Sequence, residues 1–436
     1  ALQKVSKKPV SKIMKNWTGT PGSPWVSRSV SKNKLELSQQ RFFSSVLSQK
    51  TKDNTKWMVP INIVSSGTSK LEQILLDTKT VSMRSPGSGN SWLKLNKNET
   101  SFIRVKYPRE LLEKLKKPIQ TLDKNLSEQD RFGIIRDAFV LSEAGYSTTD
   151  QALSLAKAYK NDTSYIVWSE IGSELSKIKN IIYFESYLDR FQEYVLDLFS
   201  DISKRVGWQK KVSEEHSITL LRTIVLGVLG RNGDKKTIKK ALQLFKLDML
   251  KTKKLDSDLR GMVYALVAEN GGISEYEDFL ERYKKEQFQE EKDRLLYALC
   301  VFKDRKLLQK ALNFAFSNQV KAQDSFKAIS FIARNPFGRD LAWAKVKKEW
   351  PEIVKKYGGG HLFTRFVKPM ANFVATEDAA DIEKFFKTHE SKGLDRTIQQ
   401  VLEQVRSNAA WLKRDKEKIR FFQQSRGRLE EKIGKS

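Results

Sequence analysis

Three histidines, His216, His361 and His389, stand in the contexts SEEHS, GGGHL and KTHES, each apart from the others. Zinc hydrolysis needs neutral imidazoles or thiolates converging on one ion, most simply two histidines at i and i+4 with a glutamate beside them. Neither that pattern nor a cysteine pair occurs, so no metal ligand is expected within these 436 residues. GVLGRNGDKK (227–236) approaches the spacing of a phosphate loop, but Asp234 stands where the lysine must be, and the stretch reads as a helix-terminating turn. Serines and carboxylates are plentiful without elbow or dyad spacing, so no catalytic nucleophile is assigned. The single cysteine, Cys300, lies in the apolar helical pattern RLLYALCVF and reads as a small buried hydrophobe.

Charge is the more distinctive property. The chain carries +28, and residues 1–108 hold nineteen Lys/Arg against five Asp/Glu. Such an excess attracts polyanions or acidic partners through long-range potential; the plainer reading is solubility. No window approaches ~18 uncharged apolar residues, so no membrane span is expected. The opening ALQKVSKKPVSK has no signal-peptide core. Cysteine usage favours a reducing compartment such as the cytoplasm, with the endoplasmic reticulum or another organelle as alternatives.

The elements that position these groups change character along the chain. Residues 1–18 read as the end of a helix, with Val10, Ile13, Met14 and Trp17 at helical spacing, broken by GTPGSP. Residues 19–107 have period two: NKLELSQ, WMVPINIV around an edge-type Pro60, LEQILL, SWLKLN and SFIRVKY, separated by polar turns. Six or seven short strands there predict a small β-sandwich. Residues 108–436 read as amphipathic helices joined by short links, with Ser127 as an N-cap, Gly145 as a stop and Ser147 or Thr148 opening the next helix. Such a run predicts a mainly α chain, an irregular HEAT/armadillo-like α-superhelix preceded by the sandwich. Acidic runs such as residues 274–294 read as solvated helix faces.

The stretch SFKAISFIARNPFGRDLAWAKVKKEWP (325–351) resembles a signature of the aminopeptidase N type of zinc aminopeptidases. Further segments carry the resemblance at consistent spacing: IMKNWTGTPGSPWVSRSV, KLELSQQRFF, WMVPI, WLKLN, FIRVKY, DRFGIIRDAFVLSEAGY, YGGGHLF and VRSNAAWL. Two motifs depart from the family pattern: its Gly-Phe-Pro turn has Ser23, and its Tyr-Arg-Val-Asn-Tyr strand has Ile103 and Lys106. The resemblance covers essentially the whole chain and only the C-terminal half of such an enzyme.

The resemblance implies a non-catalytic C-terminal portion that serves as lid and cavity wall for peptides trimmed from their N-terminus. Zinc and the catalytic residues are then expected in a catalytic domain of the same protein or of a companion chain. A peptide held at zinc by its amino end presents a carboxylate further away, and guanidinium groups grip carboxylates bidentately. Arg334, in the Arg-Asn-Pro turn, is the substrate-binding candidate; the alternative is a helix C-terminal residue that neutralises the dipole. Trp343 and Trp350 read as core, Arg131 and Asp137 as a structural pair, and Arg339 and Asp340 as caps of the next helix. A second function, from a different class, is a stand-alone pseudo-peptidase scaffold whose basic sandwich and basic tail (413–432) bind RNA or an acidic protein partner.

Overall fold

The computed structural model describes residues 2–31, 34–50, 53–66, 70–86, 91–321 and 324–433. It is mainly helical, with a small β-sandwich preceding the helices. The chain packs as two compact units, residues 1–174 with 415–436, and residues 175–414.

The first unit opens with two short helices, α1 (Leu2–Ser6) and α2 (Val10–Gly19), where one helix end was expected. Pro9 separates them, since its ring blocks a continuous helical ladder. Trp17 lies 6.4 Å from Trp57 and donates to the Met58 carbonyl, whereas Met14 is exposed. The strands follow as β1 (Pro24–Ser31), β2 (Lys34–Arg41), β3 (Val59–Ser65), β4 (Glu72–Leu76), β5 (Thr80–Arg84), β6 (Leu93–Leu95) and β7 (Arg104–Lys106). They form a β5-β2-β1-β7 sheet and a β4-β3-β6 sheet. Strand β1 is antiparallel to β2 and parallel to β7. Alternation buries Leu35, Leu37 and Ile61 while their neighbours are more exposed, and β3 becomes buried on both faces from Ile63 to Ser65. Gln39, fully buried on β2, uses its whole amide on the chain around the second sheet. It donates to the carbonyls of Trp57 (2.8 Å), Thr78 (2.9 Å) and Leu76 (3.3 Å) and accepts from the Trp57 N–H.

Pro60 corrects an expectation, because it lies in the central strand of its sheet rather than on an edge. It is tolerated because β4 pairs across residues 59–63 and β6 only from Ile63 onward, so no ladder bond is asked of it on the β6 side.

Helices α3 (Arg109–Gln120), α4 (Glu128–Glu143) and α5 (Thr149–Ala156) complete the ordered start of this unit. Ser127 caps α4 in a reciprocal box with Asp130, and Gly145 ends the turn beyond it at φ +83°. Arg131 and Asp137 do not pair. Arg131 grips Asp162 at 2.6 Å, while Asp137 receives Arg104, Arg136 and the Val105 N–H. Six residues apart on α4, the two side chains point to different faces.

The stretch expected as a basic tail is helical, the end of an element spanning Asp395–Ile433. Its Asp415, wholly buried, accepts from the Thr149 N–H (3.0 Å) and hydroxyl (2.7 Å), capping α5 from a position far away in sequence.

The second unit begins within α6 (Tyr165–Ile181), at Leu175, and continues with α7 (Leu188–Val206), α8 (His216–Arg231), α9 (Lys235–Met249), α10 (Ser257–Asn270), α11 (Ile273–Lys285) and α12 (Gln289–Leu299). Then come α13 (Arg305–Ala315), α14 (Ser325–Arg334), α15 (Arg339–Tyr357), α16 (Thr364–Val367), α17 (Thr376–Thr388) and the part of α18 (Asp395–Ile433) up to Arg414. One apolar core runs from Leu226 to Val405, with Cys300 fully buried inside it and its thiol pushed well above the ordinary range by burial. The stretch 227–236 does end a helix: α8 stops at Arg231, and Asp234 caps α9 by accepting from Thr237 N–H at 2.7 Å. The run 274–294 is less solvated than expected. Its Glu291 is buried and receives the Tyr264 hydroxyl, Arg260 and Arg294.

Candidate functional site

Antiparallel helices joined by short links bring the C-terminal ends of alternate helices to one place. The ends of α6, α8, α10, α12 and α14 border a cavity of about 260 Å³. Four cations line it: Lys179 from the last turn of α6, Arg231 ending α8, Lys303 just beyond α12 and Arg334 ending α14. A single carboxylate, Glu269 of α10, faces them among the lining residues, with Tyr183, Tyr297 and Phe337 as aromatic wall. Cations at helix C-termini are favoured by the partial negative charge there, which accounts for their placement one by one. Their convergence gathers four cations around one carboxylate in a single concavity.

The cations differ in how far they are engaged. Arg231 meets Glu269 at 3.2 Å; burial opposes its charge, but Glu269 and Tyr297 outweigh that and hold its pKa above the ordinary value. Lys179 donates to the Arg231 carbonyl, and burial pulls its pKa down to about 8, with Glu269 opposing and Lys303 and Arg231 adding to the drop. Arg334 and Lys303 are exposed at the rim and make no side-chain hydrogen bond or ion pair among the described residues. They are therefore free to meet an incoming anion.

The turn that carries Arg334 is built by its own sequence. Pro336 cannot continue α14, and the Asn335 amide ties the turn inward, donating to the Phe302 carbonyl at 2.7 Å and accepting from Phe337 N–H. Gly338 is required by close approach, since a Cβ there would stand 2.5 Å from Ile332 Cγ2. Arg305 clamps the turn from outside, donating to the Phe337 carbonyl and, bidentately, to Asp340.

Arg339 does more than begin a helix. It is buried with no carboxylate in ion-pair range among the described residues, and donates to the Asn180 carbonyl (3.1 Å) and side-chain oxygen at the end of α6. Burial lowers its pKa to about 10, opposed by Asp378. With the edge-on contact of Tyr183 and Phe337 at 5.4 Å, it fixes the α6 wall of the cavity against the Arg334 turn. Trp343 and Trp350 are buried in the core, donating to Asp381 and to the Glu390 carbonyl.

Lys179, Arg231, Lys303 and Glu269 escaped the sequence reading. Their signal, a basic residue at or just beyond the end of alternate helices, becomes legible only when helix direction is known.

Lys179 makes the site pH-dependent in a defined direction. Anion affinity is expected to fall as pH rises through about 8, where the ammonium is lost. Stability moves the other way: between about 8 and the unfolded value near 10.4 the unfolded chain holds the extra proton, so folding is favoured as pH rises. Titrating a fluorescent anionic peptide at pH 7 and pH 9 checks this. In Lys179→Met the difference between the two pH values should largely vanish.

The histidines do not meet. His216 begins α8, His361 is exposed, and His389 stacks on Phe385 at 3.9 Å. Among the described residues no group of three His, Cys, Asp or Glu is arranged to hold a metal ion, and the residues present do not fit a zinc site. Likewise, no helix there is long and apolar enough to cross a membrane.

The profile of the ERAP1-like C-terminal domain matches residues 92–407, and the chain belongs to that family. It corresponds to the C-terminal half of M1 aminopeptidases. It is 30% identical over 434 residues to aminopeptidase M1 of Arabidopsis thaliana, covering 94% of this chain and 48% of that protein. It is 28% identical to the alanine/arginine aminopeptidase of Saccharomyces cerevisiae (97% and 49% covered) and 29% identical to glutamyl aminopeptidase of Bos taurus (96% and 44%). The chain thus spans about half the length of the relatives it matches. None of these relatives lends support to the RNA-binding scaffold.

Proposed function

We propose that this chain is the non-catalytic C-terminal portion of a zinc-dependent aminopeptidase, and that its cavity holds the C-terminal part of the peptide being trimmed. Arg334 is the residue we assign to the terminal carboxylate, with Lys303 beside it and Lys179 behind. The observation that carries this reading is the pair of unengaged cations at the rim of a cavity that has only one carboxylate of its own, already committed to Arg231. The catalytic domain, its zinc and the bond-breaking step belong outside these residues. Here the chain acts by binding and by setting peptide length: a carboxylate that reaches the rim gains charge-assisted hydrogen bonds, and a shorter one does not.

The test uses the longer protein of which this chain is half. Arg334→Ala should raise KM for a peptide of nine or ten residues by about tenfold. It should leave turnover of a single-residue aminoacyl-coumarin unchanged, because that substrate never reaches the rim. Equal effects on both substrates would mean that Arg334 acts on the fold, and the assignment would fall.

A further inference from the structure

The loops at the other end of the same helices have a different composition. Residues 207–215 join α7 to α8, residues 250–256 join α9 to α10, and residues 286–288 join α11 to α12. Each loop lifts one large apolar side chain into solvent: Val212 is 98% exposed, Leu250 62% and Phe288 78%. Each apolar group has lysines close by in sequence, Lys210 and Lys211, then Lys251, Lys253 and Lys254, then Lys284. None of these six lysines makes a side-chain hydrogen bond or ion pair among the described residues.

The three loops form one edge. Helix α10 packs against α8, α9 and α12. Near the loops, Thr223 of α8 donates to the Asp258 carbonyl at 3.3 Å, Arg282 of α11 meets Asp248 of α9 at 2.7 Å, and Arg260 of α10 meets Glu291 of α12 at 3.1 Å. Several carboxylates of this edge have partners of their own, although only Glu214 is turned inward and Glu290 is 81% exposed. Glu214 is held by Arg222, Glu286 accepts from the N–H groups of Gln287 and Phe288, Asp256 caps α10, and Glu290 pairs with Arg294.

We propose that this edge docks on an anionic lipid surface. Three single apolar side chains on separate tips bury too little area for a stable protein interface, which needs about 1,200–2,000 Å² in all. They suit shallow insertion at the boundary of headgroups and acyl chains, where lysines on long apolar stems meet anionic headgroups. Val212, Leu250 and Phe288 enter the interface, and the six lysines supply charge complementarity. The edge lies on helix ends opposite those that border the cavity, so both can be occupied together, and the inference does not depend on the cavity's ligand.

Co-sedimentation of the chain with vesicles of phosphatidylcholine containing 30% phosphatidylserine tests it, against pure phosphatidylcholine and at low and high salt. Binding is expected to the anionic vesicles only and to weaken with salt. The triple change Val212→Ser, Leu250→Ser and Phe288→Ser, with surface groups only and an unchanged circular dichroism spectrum, should reduce partitioning at least tenfold. Lys251→Gln, Lys253→Gln and Lys254→Gln together should do the same. Removing an equal charge elsewhere, by Lys4→Gln, Lys7→Gln and Lys12→Gln, should change binding less than twofold. Absence of binding to the anionic vesicles overturns the proposal. So do equal losses from the two lysine sets, or no loss from the serine variant, because either leaves only unspecific attraction of a +28 chain.

Discussion

Asp130→Ala is expected to lower stability by about 3–5 kcal/mol, the cost of removing one partner from a buried ion cluster. Asp130 is wholly buried between the sandwich and the first turn of α4. Its carboxylate takes Lys97 Nζ at 2.5 Å, the Asn98 N–H at 2.7 Å and the Ser127 N–H at 3.0 Å, with Lys94 Nζ at 3.8 Å. Lys94 is itself buried and held by Glu99 at 2.8 Å and by the Asn96 carbonyl. Without Asp130, the Lys97 and Lys94 ammonium groups lose a wholly buried counter-charge, and α4 loses its capping box. Burial pushes the Asp130 pKa up, but Lys94, Lys97 and the N–H donors outweigh it and hold the group below the ordinary range. Its contribution is therefore present above a pH of ~4 and lost as pH falls through the lowered native value. Urea melts followed by hydrogen exchange in α4 should show the wild-type advantage at pH 7 and its narrowing in acid. A loss below about 1 kcal/mol at pH 7 would mean that the cluster is open to water.

Trp350→Ala should cost a similar amount, about 3–5 kcal/mol, in the unit of residues 175–414. The indole is 2% exposed. It stacks on Phe363 at 5.3 Å and meets Phe386 at 5.1 Å and Phe385 at 5.7 Å edge-on, while its N–H donates to the Glu390 carbonyl at 3.1 Å. Truncation opens a large cavity, and three aromatic neighbours and the Glu390 carbonyl lose their partner at once. Trp350→Phe keeps most of the packing and loses the hydrogen bond, so it should fall between the wild type and the alanine variant. Hydrogen exchange should show lost protection in α15 and α17. If the two substitutions destabilise equally, the hydrogen bond rather than packing is the larger contribution.

The two variants also mark what a sequence can tell about such a chain. Trp350 was readable as core because an apolar period survives in its surroundings. Ser127, Gly145 and Asp234 were readable because caps and stops are local chemistry. Strand β5, whose Val81 and Met83 pair with Leu37 and Leu35, was passed over as an element of its own; in so short a run, alternation is a weak signal. The Asp130 cluster draws Lys94, Lys97, Glu99, Ser127 and Asp130 from two segments about thirty residues apart, and nothing local marks a lysine as buried. Asp415 capping α5 is the same lesson at long range. Arg334 was singled out through family resemblance, whereas Lys179, Arg231 and Lys303 needed the direction of each helix before their common address could be seen.

The central claim is that the cavity behind Arg334 receives a peptide carboxylate, and fluorescence anisotropy can measure it on this chain directly. A labelled ten-residue peptide with a free C-terminus should bind about tenfold more tightly than the same peptide amidated at its C-terminus. Arg334→Ala combined with Lys303→Ala should abolish that preference while leaving the amide's weak binding unchanged. Equal Kd values for acid and amide on the unaltered chain would contradict the account.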